Sequence, residues 1–243
     1  MKWLSLLAAP LLWSSVAIAQ NALPSGTLVA VMLDHGINVD KAHPGQQIRA
    51  RVMQSVPGTP VHRGAHVLGT VLAVHPAPNG AARLEIRFDA IETHGQRIPV
   101  RTNLRAVASM LQVEEAQIPE EMSSRGLTPE TWTTQQIGGD QVYRGGGPVA
   151  EGMTPVGAPT PYGVLDMPRA QAGKPCRAVV SDNNHPQALW LFSADACGVY
   201  GLYKVRIEHA GRTSPRGAII LTGENGKLNL RGGSALLLRV QGS

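Results

Sequence analysis

Apolar positions in this chain recur with a period of two or in short unbroken runs. Gly, Pro, Asn or Asp separates one run from the next, the pattern of strands rather than helices. The run from Thr27 to Leu33 fits a strand buried on both faces, and Asp34-His35-Gly36 ends it. Gln47 to Ser55 alternates, with Ile48, Ala50 and Val52 on one side and Arg49 and Arg51 on the other. Ala65 to Val74 follows, interrupted by Gly69, where a bend or bulge is expected. The sharpest alternation is Arg83-Leu84-Glu85-Ile86-Arg87-Phe88-Asp89, whose apolar face is Leu84, Ile86 and Phe88. Beyond the turn Thr93-His94-Gly95-Gln96, a second run sets Ile98, Val100 and Leu104 against Arg97, Arg101 and Arg105. Two registers keep both faces sorted, and one of them opposes Arg to Arg, which destabilises. The expected register is therefore the other, with Asp89 opposite Arg101 and Glu85 opposite Arg105. The arginines then form a solvated, paired face rather than an anion site.

Between residues 107 and 168 the period is lost. Glu114, Glu115, Glu120, Glu121 and Glu130 cluster there, and Pro119, Pro129, Pro148, Pro155, Pro159, Pro161 and Pro168 punctuate the segment. Leu104 to Gln117 fits a short helix, yet Val107, Ala108, Met110, Leu111 and Val113 fit a strand almost equally. Trp132 to Pro148 carries Trp132, Ile137, Val142 and Tyr143, which a flexible tether would lack, so it reads as an ordered excursion. Strand patterns return at Ala178 to Ser181, Ala188 to Phe192 and Tyr203 to His209. Ala218 to Leu221, the turn Glu224-Asn225-Gly226-Lys227 and Leu228 to Leu230 give a hairpin signal, because Asn-Gly supplies the positive φ of a tight turn. Gly232-Gly233 then leads into Ala235 to Val240, which completes a three-strand meander. The expected fold is all-β and mainly antiparallel. Two small barrel- or sandwich-like regions, 20–106 and 169–243, flank a segment at 107–168 that is acidic and then Gly/Pro-rich.

Composition sharpens this picture. With 27 Gly, 18 Pro and 4% aromatic residues among 243, few segments run far without a breaker. At the N-terminus Lys2 precedes an uncharged run from Trp3 that ends in Ala17-Ile18-Ala19, the three-part pattern of a secretory signal peptide at 1–19. Cleavage after Ala19 would start the mature chain at Gln20 in the periplasm or outside the cell, with no transmembrane span beyond it. An even pair of cysteines in an exported protein, Cys176 and Cys197, reads as a disulfide. The competing reading is a reactive Cys197 served by His209. The formal charge of +5 suits simple solubility or an anionic envelope partner, and export argues against nucleic acid.

Candidate chemistry is sparse. His62 and His66 have the spacing of a helical metal pair, but Pro60 and Gly64 argue against a helix. On a strand they would stand about 13 Å apart, so they cannot share a metal unless Gly64 folds the chain back. No cysteine lies near them to complete a zinc set. Gly145-Gly146-Gly147-Pro148 and Ile137-Gly138-Gly139-Asp140 do not join a strand to a helix, as a phosphate cradle requires. No nucleophile motif occurs, and the paired glutamates lie in a solvated acidic stretch. No metal or cofactor is expected. The excursion carries Trp132, Tyr143 and Arg144, a possible binding surface, because an aromatic beside an Arg on irregular backbone is suited to recognition. The alternative is that both aromatics plug the seam between the two β regions.

Gly26-Thr27 opening a strand, Pro44-Gly45 before the next, and Val61-His62-Arg63-Gly64-Ala65-His66-Val67-Leu68-Gly69 resemble the barrel domain of type IV secretion outer-membrane core proteins. That resemblance implies a structural subunit of an envelope-spanning assembly. The whole chain looks more like an uncharacterised family of exported bacterial proteins, which implies no activity. The leading expectation is an exported, noncatalytic envelope or secreted protein that binds a partner or polymer. The alternatives are an unrecognised hydrolase acting on polysaccharide or peptide, and the assembly subunit.

Overall fold

The computed structural model describes residues 22–77, 79–117, 137, 189–192, 196–208 and 217–242, with the backbone of further strands between 132 and 165. The strands of the first half are β1 (Leu28–Leu33), β2 (Ile37–Asn38), β3 (Gln47–Val52), β4 (His66–His75), β5 (Ala82–Thr93), β6 (Gln96–Pro99) and β7 (Thr102–Ala108), followed by one helical turn and a half, α1 (Met110–Glu115). The excursion contributes β8 (Trp132–Gln135), β9 (Gln141–Arg144), β10 (Val149–Glu151), β11 (Thr154–Gly157) and β12 (Val164–Leu165). The last part adds β13 (Gly198–Tyr200), β14 (Val205–Ile207), β15 (Ile219–Gly223), β16 (Asn229–Leu230) and β17 (Ala235–Val240).

The fold is all-β and mainly antiparallel, but it is not a closed barrel. A 10-stranded sheet runs in the order β13-β7-β17-β1-β3-β4-β5-β15-β14, with β6 added on β5. Only β13, laid beside β7, is parallel among these neighbours. The C-terminal strands do not build a sheet of their own. β17 is inserted between β1 and β7, and β15 lies beside β5, so both β regions share one sheet and one inner core. The sequence explains the insertion. Leu236, Leu238 and Val240 belong to the inner core while Ala235 and Leu237 belong to an outer cluster, and a strand apolar on both faces needs cover on both, which its place between β1 and β7 supplies.

The expected C-terminal meander is corrected for the same reason. Asn225 and Gly226 do take positive φ, 55° and 70°. However, β15 already has β5 on one edge and β14 on the other, which leaves no edge for β16. β16 pairs instead with β2, Leu230 opposite Ile37. Residues 104–117 satisfy both readings in turn: β7 ends at Ala108, and Ser109 caps α1 by accepting from the Gln112 N–H at 3.3 Å. Leu189 and Phe192 form an isolated bridge rather than the expected strand. Ala178 to Ser181 lie outside the described residues.

Bulges set the phase of the sheet. The β4–β5 register slips at Gly69, where Leu68 opposes Ala90 and Gly69 opposes Phe88. A Cβ on Gly69 would stand 2.3 Å from the Arg87 carbonyl oxygen, so this close approach requires glycine. After the slip Ile91, not its even-numbered neighbours, joins Leu84, Ile86 and Phe88 in the core. The β5–β6 hairpin therefore opposes Ile91 to Ile98 and Glu92 to Arg97, an odd register that the strict alternation of the sequence did not allow. The expected pairs Asp89–Arg101 and Glu85–Arg105 do not form. Asp89 lies 3.9 Å from Arg97 and from Arg87, and Glu85 is 4.0 Å from Arg83.

Arg105 is a second correction. A bulge between β7 and β17 pairs Leu104 with Leu238 and Ala106 with Leu237, leaving Arg105 between them. It is buried rather than solvated, and its Nε donates to the Ala196 carbonyl at 3.0 Å. A bulge re-aims the side chain it displaces, and here that side chain ties the sheet to the segment that covers it.

Candidate functional site

The described residues bring together a group of side chains that the sequence leaves scattered. β4 pairs with β5 so that His66 opposes Glu92. That register places the turn before β4 and the β5–β6 turn at the same end of the sheet. Thr93 Oγ1 donates to the Pro60 carbonyl at 3.0 Å and fastens one turn to the other. Between them lies an open cleft of about 490 Å³ lined by His62, Arg63, His66, Glu92, His94, Gln96 and Arg97 among others.

Local backbone aims these groups. Gly64 at φ +92° turns the chain between His62 and His66, so both line the cleft although neither is on a helix. His94 and Gly95 form the two-residue connection between Thr93 and Gln96, with φ of 45° and 74°. Two consecutive positive φ values are the signature of a tight hairpin turn that favours Asn-Gly. A His at its first position is uncommon, and here it sets the imidazole against His62. The two ring centroids are 4.8 Å apart with planes tilted by 55°.

The cleft's side chains divide into engaged and free. His66 Nδ1 accepts from Arg49 Nε at 3.0 Å, so that nitrogen carries no proton in this arrangement. Asp34 sits behind this pair, 3.6 Å from Arg49, 3.0 Å from Arg51 and 3.8 Å from His66. Arg97 lies 3.6 Å from Glu92. The side chains of His62, Arg63 and His94 make no hydrogen bond or ion pair among the described residues. The cleft thus presents an unbalanced guanidinium and two imidazoles with unspent ring nitrogens. Among the described residues no group of three or more metal-ligating side chains is present.

The residues singled out from the sequence fare unevenly. Trp132 is opposite Arg144, and Thr133 opposite Tyr143, in the β8–β9 ladder, which belongs to a 3-stranded sheet with β12. The side chains of Trp132, Tyr143 and Arg144 lie outside the described residues. So do Cys176 and His209. Cys197 is half-buried, and its backbone N–H donates to Tyr200 Oη at 3.0 Å. Residues 1–21, which hold the expected signal peptide, also lie outside the described residues. No described helix is long and apolar enough to cross a membrane. The sequence reading considered His62 with His66, at a spacing of four, and missed His62 with His94, which only the pairing of β4 with β5 brings together. The available signal was the His-Gly turn itself, at a position where Asn-Gly is the usual choice.

Comparison with known proteins adds no name to this site: no family model matches the chain, and neither a curated protein nor a solved structure shows a significant match.

Proposed function

We propose that this chain is an exported, noncatalytic envelope or secreted protein that binds a partner or polymer through the cleft between the two turns. The observation that carries the reading is the free set His62, Arg63 and His94 facing an open cleft, polar groups that a partner would satisfy. Recognition on turns held by a rigid sheet is a common arrangement. Among the described residues lining the cleft, the one hydroxyl, Thr93 Oγ1, donates to the Pro60 carbonyl. The tripartite N-terminus supports export, and sequencing of the envelope protein is expected to begin at Gln20. A Cys176–Cys197 disulfide closing a loop of about twenty residues would stabilise by about 3 kcal/mol in the chain-entropy model. Mass spectrometry without reduction is expected to find both thiols blocked.

The decisive experiment incubates the mature protein with isolated envelope polymer. Cosedimentation with the polymer at unchanged chain length, weakened by Arg63→Ala with Arg97→Ala, is the expected outcome. Shortening of the polymer would establish the hydrolase reading instead.

A further inference from the structure

We propose that the cleft recognises a phosphate group through Arg63 and the His62–His94 pair; the proposal rests on the binding reading above and names its ligand. The charged groups around the pair are mostly basic. The turn before β4 supplies His62 and Arg63, β4 supplies His66, the β5–β6 turn supplies His94, and β6 supplies Arg97. Glu92 on β5 is the one carboxylate among the cleft residues, and Arg97 stands 3.6 Å from it. Behind His66, Asp34 is shared by Arg49 and Arg51. Among the described residues Arg63 has no ion-pair partner.

The pair's geometry suits an anion: the two ring centroids are 4.8 Å apart, so one ligand can meet both rings. A phosphate offers three or more acceptor oxygens, enough for two ring N–H groups and a guanidinium fork together, whereas a carboxylate offers two. The backbone carries a corresponding signature. His94 occupies a left-handed backbone position that Asn would fill more readily, and such backbone positions cluster at functional sites.

Inorganic phosphate titrated into the mature protein tests this, read by calorimetry and by the imidazole NMR signals. The expected result is saturable binding, with both His62 and His94 signals moving. His94→Asn keeps the turn, since Asn-Gly is its favoured sequence, and is expected to weaken binding several-fold, as is Arg63→Ala. Phosphatidylglycerol vesicles that bind, and are displaced by inorganic phosphate, identify a lipid-borne phosphate. Free phosphate binding without vesicle binding identifies a soluble or polymer-borne one. No binding, equal affinity for acetate, or undiminished affinity in both His94→Asn and Arg63→Ala overturns the proposal. Envelope polymer retained by a protein that ignores phosphate overturns this ligand assignment alone and leaves the binding reading standing.

Discussion

Two sectors of one sheet treat their outer faces differently. In β7, β17 and β1 both faces are buried. Leu104, Val107, Leu236, Leu238, Val29 and Val31 point into the inner core, and Ala106, Ala108, Ala235, Leu237 and Ala30 lie under a second cluster. Val113 of α1, Ile137, Leu191, Phe192 and Ala196 form that cover. The small side chains on the outer face let Phe192 come down close enough to be wholly buried. In β3, β4 and β5 the inner face is equally apolar, but the outer face carries Arg49, Arg51, His66, Arg83, Glu85 and Arg87 in open ion-paired rows. The first sector spends its outer face on stability, while the second leaves it to solvent and to the cleft at its end. The cleft proposed for recognition lies at the end of the singly covered sector, at turns whose conformation the sheet fixes.

The comparison is easiest to break at the cover. Phe192→Ala is expected to cost about 3–5 kcal/mol in denaturant unfolding, because it leaves a cavity over the alanine face. A neutral result would mean that the cover rests on the sheet without stabilising it. In the other sector Gly69→Ala forces a Cβ into the Arg87 carbonyl, and a loss of about 2–3 kcal/mol in the same measurement is expected. It should also blur the imidazole signals of the cleft, since the bulge sets the phase of the β5–β6 hairpin. Arg105→Ala removes the tie between sheet and cover and leaves the Ala196 carbonyl unpaired, for about 2 kcal/mol in thermal unfolding. On the solvated side, Glu208→Ala breaks a 2.7 Å pair with Arg83 whose side chains are about one-third exposed. Its expected cost is only about 0.5 kcal/mol, and raised salt should reduce it further. A larger effect from Glu208 than from Arg105 would reverse the assignment of which outer face stabilises the fold.

Local pattern was enough for the class of the fold and for several of its strands. Unbroken apolar runs identified β1 as doubly buried, alternation identified β3 and the first half of β5, and Gly69 announced its bulge. These are local matters, since side-chain period and glycine geometry are written within a few residues. What only the tertiary structure decided is non-local. Whether β17 closes a C-terminal meander or inserts between β1 and β7 depends on which edges are free, and Asn225-Gly226 can make its turn without its flanking strands pairing. Arg105 alternates in sequence like a solvated residue, and a one-residue bulge made against β17 buries it. His62 and His94 are likewise ordinary turn histidines until the register of β4 on β5 sets their rings together. Periodicity fixes which face a residue occupies, but register and bulges decide which residues meet, and these follow from the packing of the whole sheet rather than from any one strand.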